Sequence, residues 1–240
     1  MTQHQPIVVI NPNSTEVVTE AMDRALDPLR LAGGPAIVSV TNPNGPPGIE
    51  CQGHVDDVSG DVRTLVRSHD AEASAFVIAC YSDPGMHAAR EATAKPVFGI
   101  AESGMLTAMS LGERVGIIAI LSRSIPRHLR YIRAMGVETR LAGDRAIELG
   151  VVELSDEART FERMVKVGTD LRDLDGADVL VLGCAGMARY RERLAGRLGI
   201  PVVDPTQAAV GMAMTAVCLN QTNARPIAAT TASTAPQAAE

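Results

Sequence analysis

Two of the four cysteines, Cys80 and Cys184, occupy matching places in the sequence. Each directly follows a short run of apolar residues, 75–79 and 179–183. Such runs predict buried β-strands, and ligands of open parallel sheets bind beyond the carboxyl ends of the strands. Two facing thiols there could take a proton from one side of a carbon acid and return it on the other side. This is the chemistry of racemisation without a cofactor.

A helix is predicted to start just after each cysteine. The N–H groups and the partial positive charge of a helix N-terminus lower the pKa of a thiol, so we expect thiols that ionise near neutral pH. The same N–H groups can stabilise the oxygen of an enolate. After Cys80, Asp83 and Pro84 are expected as the N-cap and first residue of the helix. Cys51 and Cys218 are predicted to be structural.

Other chemistries find less support. A redox pair is the competing use of Cys80 and Cys184, but such pairs usually have a resolving cysteine nearby in the sequence. Lys95 and Lys166 are the only lysines, and neither follows a strand in a motif suited to a Schiff base. We therefore predict no cofactor. No metal site is predicted because the five histidines lack paired ligand spacing: His4, His54, His69, His87 and His128.

The elements that must position the cysteines alternate between short β-branched runs and helical periodicity. This alternation predicts parallel sheets built from βαβ units. The pattern around Cys80 recurs around Cys184, and a strand starting with proline follows both, at Pro96 and Pro201. The predicted fold is α/β, with two pseudo-symmetric half-domains, each a four-stranded parallel sheet flanked by helices, and the active site between them. In the second half, one strand is predicted at residues 137–141.

The predicted division of the chain follows this repeat. Residues 1–102 form the first half, joined by the C-terminal helix 206–219, and residues 103–205 form the second half. The tail, residues 221–240, is rich in Ala, Thr and Pro and is predicted to be disordered.

Composition excludes several classes of partner. Of 240 residues, 46% are hydrophobic and only 2% aromatic, and the net charge is -6. Nucleic acid and anionic membrane surfaces are therefore not expected as partners, since both require a basic surface. The sequence has no signal peptide and no apolar run of about 20 residues, which predicts a cytoplasmic protein. The expected partner is a small-molecule substrate.

Four motifs together carry a family resemblance. They are Asn-Pro-Asn-Ser-Thr at residues 11–15, Cys-Tyr-Ser-Asp-Pro-Gly at 80–85, Gly-Ile-Ala-Glu at 99–102 and Gly-Cys-Ala-Gly-Met at 183–187. In this order they resemble the hydantoin (allantoin) racemase branch of the aspartate/glutamate/hydantoin racemase superfamily. The resemblance spans residues 6–219.

The resemblance implies a cofactor-independent enzyme in which Cys80 and Cys184 act as opposed acid and base. Family members are often oligomers, so a homo-oligomer is one expectation. Ser122 is added because it follows a predicted strand. For Asn13 and Ser14, turn or capping chemistry is an equal alternative to substrate binding. The substrate-binding residues implied by the motifs are Asn13, Ser14, Tyr81, Ser82, Asp83, Ala185 and Gly186.

The function expected from residues and resemblance is racemisation or epimerisation of a cyclic ureide, such as a 5-substituted hydantoin or allantoin. Tyr81 and Ser82 replace a smaller pair common in this branch, so the substrate side chain is left open. One alternative is an amino-acid racemase of the aspartate/glutamate type, although residues 185–187 lack the Thr and His that follow the cysteine in glutamate racemases. A maleate-type cis–trans isomerase would instead use one thiolate as a nucleophile. A non-enzymatic, two-lobed binding protein would tolerate loss of both thiols.

Overall fold

Two parallel β-sheets form the centre of the computed structural model, which describes residues 4–224. Their strand orders are β2-β1-β3-β4 and β6-β5-β7-β8. The predicted α/β fold with two four-stranded parallel sheets is confirmed. The strands are β1 (Ile7–Asn11), β2 (Ile37–Thr41), β3 (Ala75–Ile78), β4 (Val97–Gly99), β5 (Val115–Ala119), β6 (Leu141–Ala146), β7 (Val179–Leu182) and β8 (Val202–Val203).

The two sheets repeat the same topology, so β3 of the first sheet corresponds to β7 of the second. Each lies between a central strand and an edge strand, β1 and β4 in one case and β5 and β8 in the other. All residues of β1, β3, β5 and β7 are buried. Helices cover both faces of such sheets, which explains why these strands are continuous apolar runs. The residues after β3 and β7 therefore emerge at equivalent sheet edges.

Helices α4 and α8 join the two halves. Helix α4 packs on the second sheet, α8 packs on the first sheet, and the two helices pack against each other. A Cβ on Gly104 of α4 would lie 2.9 Å from the Pro205 Cβ, so glycine permits this close crossing. The division at residues 102 and 103 stays a prediction. The helices are α1 (Glu16–Ala25), α2 (Gln52–His69), α3 (Met86–Ala92), α4 (Ile100–Leu111), α5 (Ile125–Ala134), α6 (Glu157–Asp173), α7 (Arg191–Leu198) and α8 (Pro205–Cys218).

The strand predicted at residues 137–141 is displaced in the structure. Residues Glu138–Arg140 form a short 3-10 helix, and β6 begins at Leu141. Strand β6 is an edge strand whose residues are all partly exposed, and it contains Gly143, Asp144 and Arg145. Because a partly exposed edge strand needs few apolar side chains, the sequence of β6 gives only a weak indication of a strand.

The predicted tail lies mostly outside the described residues, which end at residue 224. Within the part described, the backbone N–H of Asn223 donates to the Ala94 carbonyl oxygen at 2.9 Å. Its Nδ2 donates to the Lys95 carbonyl oxygen at 2.6 Å. No helix within residues 4–224 is long and apolar enough to cross a membrane. The homo-oligomer stays a prediction.

Candidate active site

One cavity receives both Cys80 and Cys184, at the carboxyl ends of β3 and β7. Its volume is about 30 Å³. Both cysteines are free, half-buried thiols. Residues that follow strands of both sheets form the wall: Asn13, Val18, Ile49, Ala79, Tyr81, Ser82, Ile120, Ser124, Arg127, His128, Val151, Gly183, Ala185 and Gly186.

The expected lowering of the thiol pKa values is wrong. Burial raises the pKa of Cys80 to about 12, and the negative charges of Cys184 and Asp83 add to this rise. Burial likewise raises the pKa of Cys184 to about 11, with further contributions from Asp204 and Glu50.

The position of the helices explains part of this error. Helix α3 begins only at Met86, well after Cys80, and a 3-10 helix rather than an α-helix follows Cys184. A helix dipole acts only within the first turn, so neither thiol gains its full benefit. The backbone N–H of Gly186 does lower the pKa of Cys184. Desolvation outweighs this single hydrogen bond.

Five of the eight predicted substrate-binding residues line the cavity: Asn13, Tyr81, Ser82, Ala185 and Gly186. Asn13 Oδ1 accepts hydrogen bonds from the Thr15 backbone N–H at 2.9 Å and from Asn11 Nδ2 at 3.1 Å. Among the described residues, Asn13 Nδ2 has no hydrogen-bond acceptor. The Tyr81 hydroxyl is buried and also lacks a partner within residues 4–224. The Asn13 amide nitrogen and the Tyr81 hydroxyl are thus polar groups whose hydrogen-bonding capacity is not used within the described residues.

The other three predicted substrate-binding residues, Ser14, Asp83 and Ser122, do not line this cavity. The Ser14 backbone N–H donates to the Pro46 carbonyl oxygen at 3.0 Å. Ser122 is exposed, and its hydroxyl donates to the Glu148 carboxylate. Their local hydrogen bonds explain their positions without a ligand.

Asp83 caps α4 rather than the helix that follows it. Its carboxylate accepts the backbone N–H groups of Ala101 and Glu102, both at 2.9 Å, and the Tyr131 hydroxyl at 2.7 Å. Gly99 permits this approach, since a Cβ there would lie 2.2 Å from the Asp83 Cγ. The expectation that Asp83 caps its own helix is therefore wrong: α3 begins after Gly85, and the N-terminus that the carboxylate reaches is that of α4.

Two residues of α5 line the cavity although sequence reasoning did not find them. Arg127 Nε donates to Ser82 Oγ at 2.8 Å, and its Nη2 donates to Ser124 Oγ at 3.2 Å. His128 Nδ1 lies 2.8 Å from an Asp144 carboxylate oxygen, and both side chains are buried. No motif marks Arg127, and Asp144 lies on β6, the strand that was misplaced.

Glu50 connects two loops that close over the cavity. Ile49 and Val151 line the cavity from the loop before α2 and from the loop after β6. The Glu50 carboxylate accepts the Val151 backbone N–H at 3.0 Å and pairs with Arg123 Nη2 at 2.6 Å. The Glu50 carbonyl oxygen also accepts from Arg123 Nε at 3.1 Å. These contacts at the border of the cavity join residues that follow strands of different sheets.

A second cavity, of about 280 Å³, adjoins the first and shares Tyr81, Ser82, Arg127 and His128 with it. Most of its wall is apolar and includes Val55, Met105 and Ile132. Within residues 4–224 there is no group of three His, Cys, Asp or Glu side chains that could hold a metal ion.

Comparison with known proteins gives consistent matches over most of the chain. A sequence model described as Asp/Glu/Hydantoin racemase matches residues 7–213. The hydantoin racemase of Paenarthrobacter aurescens is 34% identical over 219 residues, which are 89% of this chain and 91% of that protein. The hydantoin racemase of Rhizobium meliloti is 36% identical over 212 residues, 86% of each chain. The allantoin racemase structure from Pseudomonas fluorescens matches with a TM-score of 0.87 and 30% identity, covering 91% of this chain and 93% of that one.

Proposed function

The chain belongs to the Asp/Glu/hydantoin racemase family and is an isomerase of the racemase type, and from this premise we propose that Cys80 and Cys184 racemise a cyclic ureide. A 5-substituted hydantoin or allantoin is the substrate class. The observation that carries the proposal is the single cavity lined by both thiols, each from an equivalent strand end of its sheet. The reaction requires no cofactor.

Proton transfer proceeds in two steps. The thiolate of one cysteine takes the proton from C5 of the ring, so an S–H bond forms while the C–H electron pair moves onto the adjacent carbonyl as an enolate. The thiol of the other cysteine then gives its proton to the opposite face of C5 and becomes a thiolate. The two cysteines exchange roles for the other enantiomer.

The raised thiol pKa values suit a weak carbon acid. Burial makes the thiolate scarce at neutral pH, but it also makes each thiolate more basic, which favours removal of a carbon-bound proton. Asn13 Nδ2 and the Tyr81 hydroxyl are the side-chain donors proposed for the ring oxygens. Ala185 and Gly186 line the substrate beside Cys184, and Ser82 lies beside Cys80. The adjoining apolar cavity would receive the substituent on C5.

Single cysteine variants test this mechanism. We expect Cys80→Ser and Cys184→Ser each to abolish racemisation. Racemisation is measured by polarimetry on a panel of hydantoins and allantoin. In deuterated solvent, each variant should still exchange the C5 proton of one enantiomer, and the enantiomer should differ between the two variants. Cys218→Ser is the control, because Cys218 is exposed and does not line the cavity. Full racemisation of both enantiomers by each single variant would refute the two-cysteine mechanism.

A further inference from the structure

Arg127 is a buried cation without a carboxylate partner. It is 9% exposed, and none of the ion pairs among the described residues includes it. Its hydrogen bonds go to two neutral hydroxyls, those of Ser82 and Ser124. Burying an unpaired charge is costly, so a guanidinium in this position indicates a compensating anion in or beside the cavity.

Arg127 and Cys80 line the same cavity, so the thiolate that Cys80 forms when it ionises can be this anion. Burial lowers the pKa of Arg127, and a negative charge on Cys80 is the largest influence that raises it again. Cys51 acts on Arg127 in the same direction more weakly, while Arg130 and Arg123 oppose it. In return, the Arg127 charge lowers the pKa of Cys80, against the opposing charges of Cys184 and Asp83.

Ser82 links the guanidinium to the turn that follows Cys80, where the Ser82 backbone N–H donates to the Cys80 carbonyl oxygen at 2.7 Å. Arg127 Nε donates to Ser82 Oγ at 2.8 Å, which occupies one acceptor position of the hydroxyl and leaves its proton free to point elsewhere. Ser82 also interacts with Cys80 and lowers the pKa of that thiol. The corresponding support for Cys184 comes from the backbone N–H of Gly186 alone.

We propose that Arg127 is a positioning residue which, together with Ser82, stabilises the thiolate of Cys80 and not that of Cys184. This inference rests on the proposed function. Arg127 directs the Ser82 hydroxyl proton toward the Cys80 sulfur and adds its own charge. The half-reaction in which Cys80 is the base therefore depends on Arg127, whereas the half-reaction in which Cys184 is the base does not.

Alkylation of the free enzyme tests the proposal without any substrate. The rates at which iodoacetamide modifies Cys80 and Cys184 are measured separately by peptide mass spectrometry as a function of pH. An opposite charge nearby typically shifts a pKa by about one unit or more, so Arg127→Met should slow Cys80 about tenfold at a fixed pH below its midpoint. The rate at Cys184 should change less than about threefold. Arg133→Met, an exposed arginine of the same helix, is the matched control.

Arg127→Lys keeps the test informative where Arg127→Met alters folding. Lysine retains the charge but not the planar fork that reaches Ser82, so the Cys80 midpoint should lie between those of the original enzyme and Arg127→Met. Ser82→Ala should likewise raise the midpoint for Cys80 alone. An unchanged Cys80 rate in both Arg127 variants, or an equal change at both cysteines, would overturn the proposal.

Exchange with deuterated solvent links the inference to the reaction. In Cys184→Ser, where Cys80 is the sole remaining base, adding Arg127→Met should reduce C5 proton exchange about tenfold. In Cys80→Ser the same change should have little effect. If both single cysteine variants racemise normally, the proposed function fails while the alkylation result still decides the role of Arg127. If each single cysteine variant exchanges the C5 proton of a different enantiomer, but Arg127→Met changes neither exchange rate, only the inference about Arg127 fails.

Discussion

Removing the Glu50 carboxylate should open the cavity that holds both cysteines. The cavity beside the two cysteines is small, about 30 Å³, and two loops border it. We expect these loops to separate when substrate enters. Glu50 holds these loops together through Arg123 and the Val151 backbone N–H. Glu50→Ala removes both side-chain contacts and leaves the backbone contact to Arg123 in place.

The size of the effect follows from these contacts. Arg123 is 58% exposed, so its ion pair with Glu50 stabilises closure by no more than about 1 kcal/mol. The N–H of Val151, a buried residue, loses its acceptor, which costs roughly another 1 kcal/mol. A total of about 1–2 kcal/mol raises the open population about 5- to 30-fold. Glu50→Gln can keep the acceptor for Val151 and lose only the ion pair, so its effect should be less than about fivefold.

Iodoacetamide modification of Cys80 measures this opening. We expect the rate at Cys80 to rise about 5- to 30-fold in Glu50→Ala, because opening of the loops exposes the thiol to the reagent. Cys184 is a less direct reporter, since Glu50 also raises the pKa of Cys184 and its removal adds a second acceleration there. Glu50 is not among the groups that shift the pKa of Cys80. Glu20→Ala, at an exposed ion pair on α1, is the control. An unchanged rate of Cys80 modification in Glu50→Ala would refute the idea that Glu50 holds the two loops together.

Two further predictions concern stability. Burial raises the pKa of Asp83 to about 6 and that of Asp204 to about 7, from 3.8, so the folded state binds these protons more tightly than the unfolded state. The free energy of unfolding should therefore fall as pH rises from about 4 to about 7, by at most about 1.4 kcal/mol per pH unit for each group. Asp204→Asn should flatten this dependence in urea denaturation, and an equally steep curve would contradict the assignment. Tyr81→Phe removes a buried hydroxyl that has no partner among the described residues, so it should raise the free energy of unfolding by about 1 kcal/mol. A lower stability of Tyr81→Phe would count against that reasoning.

The position of the site was predictable because it depends on local patterns. Buried strands are apolar runs, and parallel topology places their carboxyl ends at one edge, so Cys80 and Cys184 could be paired from the repeat alone. The roles of Asp83 and Arg127 depend on contacts distant in sequence. Asp83 reaches the N-terminus of α4, and Arg127 reaches Ser82 from α5. Neither contact can be recognised from the sequence, because a single polar residue in a helix or turn forms no periodic pattern.

The thiol pKa values were mispredicted for a related reason: they depend on how completely the cavity is closed. Burial is the largest cause of the rise for both Cys80 and Cys184. Closure in turn depends on contacts between loops that follow different sheets. A sequence shows that a thiol follows a strand but not how much water remains around it, and desolvation of a buried thiolate can exceed the effect of a helix N-terminus.

The two halves repeat the backbone but not the charges around their cysteines. Each thiol is influenced by a charged residue that follows a strand of the opposite sheet. Arg127 follows β5 and lowers the pKa of Cys80, whereas Glu50 follows β2 and raises the pKa of Cys184. Both influences weaken with distance, so separating the halves would remove a cation from Cys80 and an anion from Cys184. Burial raises both pKa values, and on top of it the charge of Arg127 favours a thiolate on Cys80, whereas the charge of Glu50 favours the proton on Cys184. A duplicated fold can thus surround two chemically identical residues with different charges, so that their pKa values differ, about 12 for Cys80 and about 11 for Cys184.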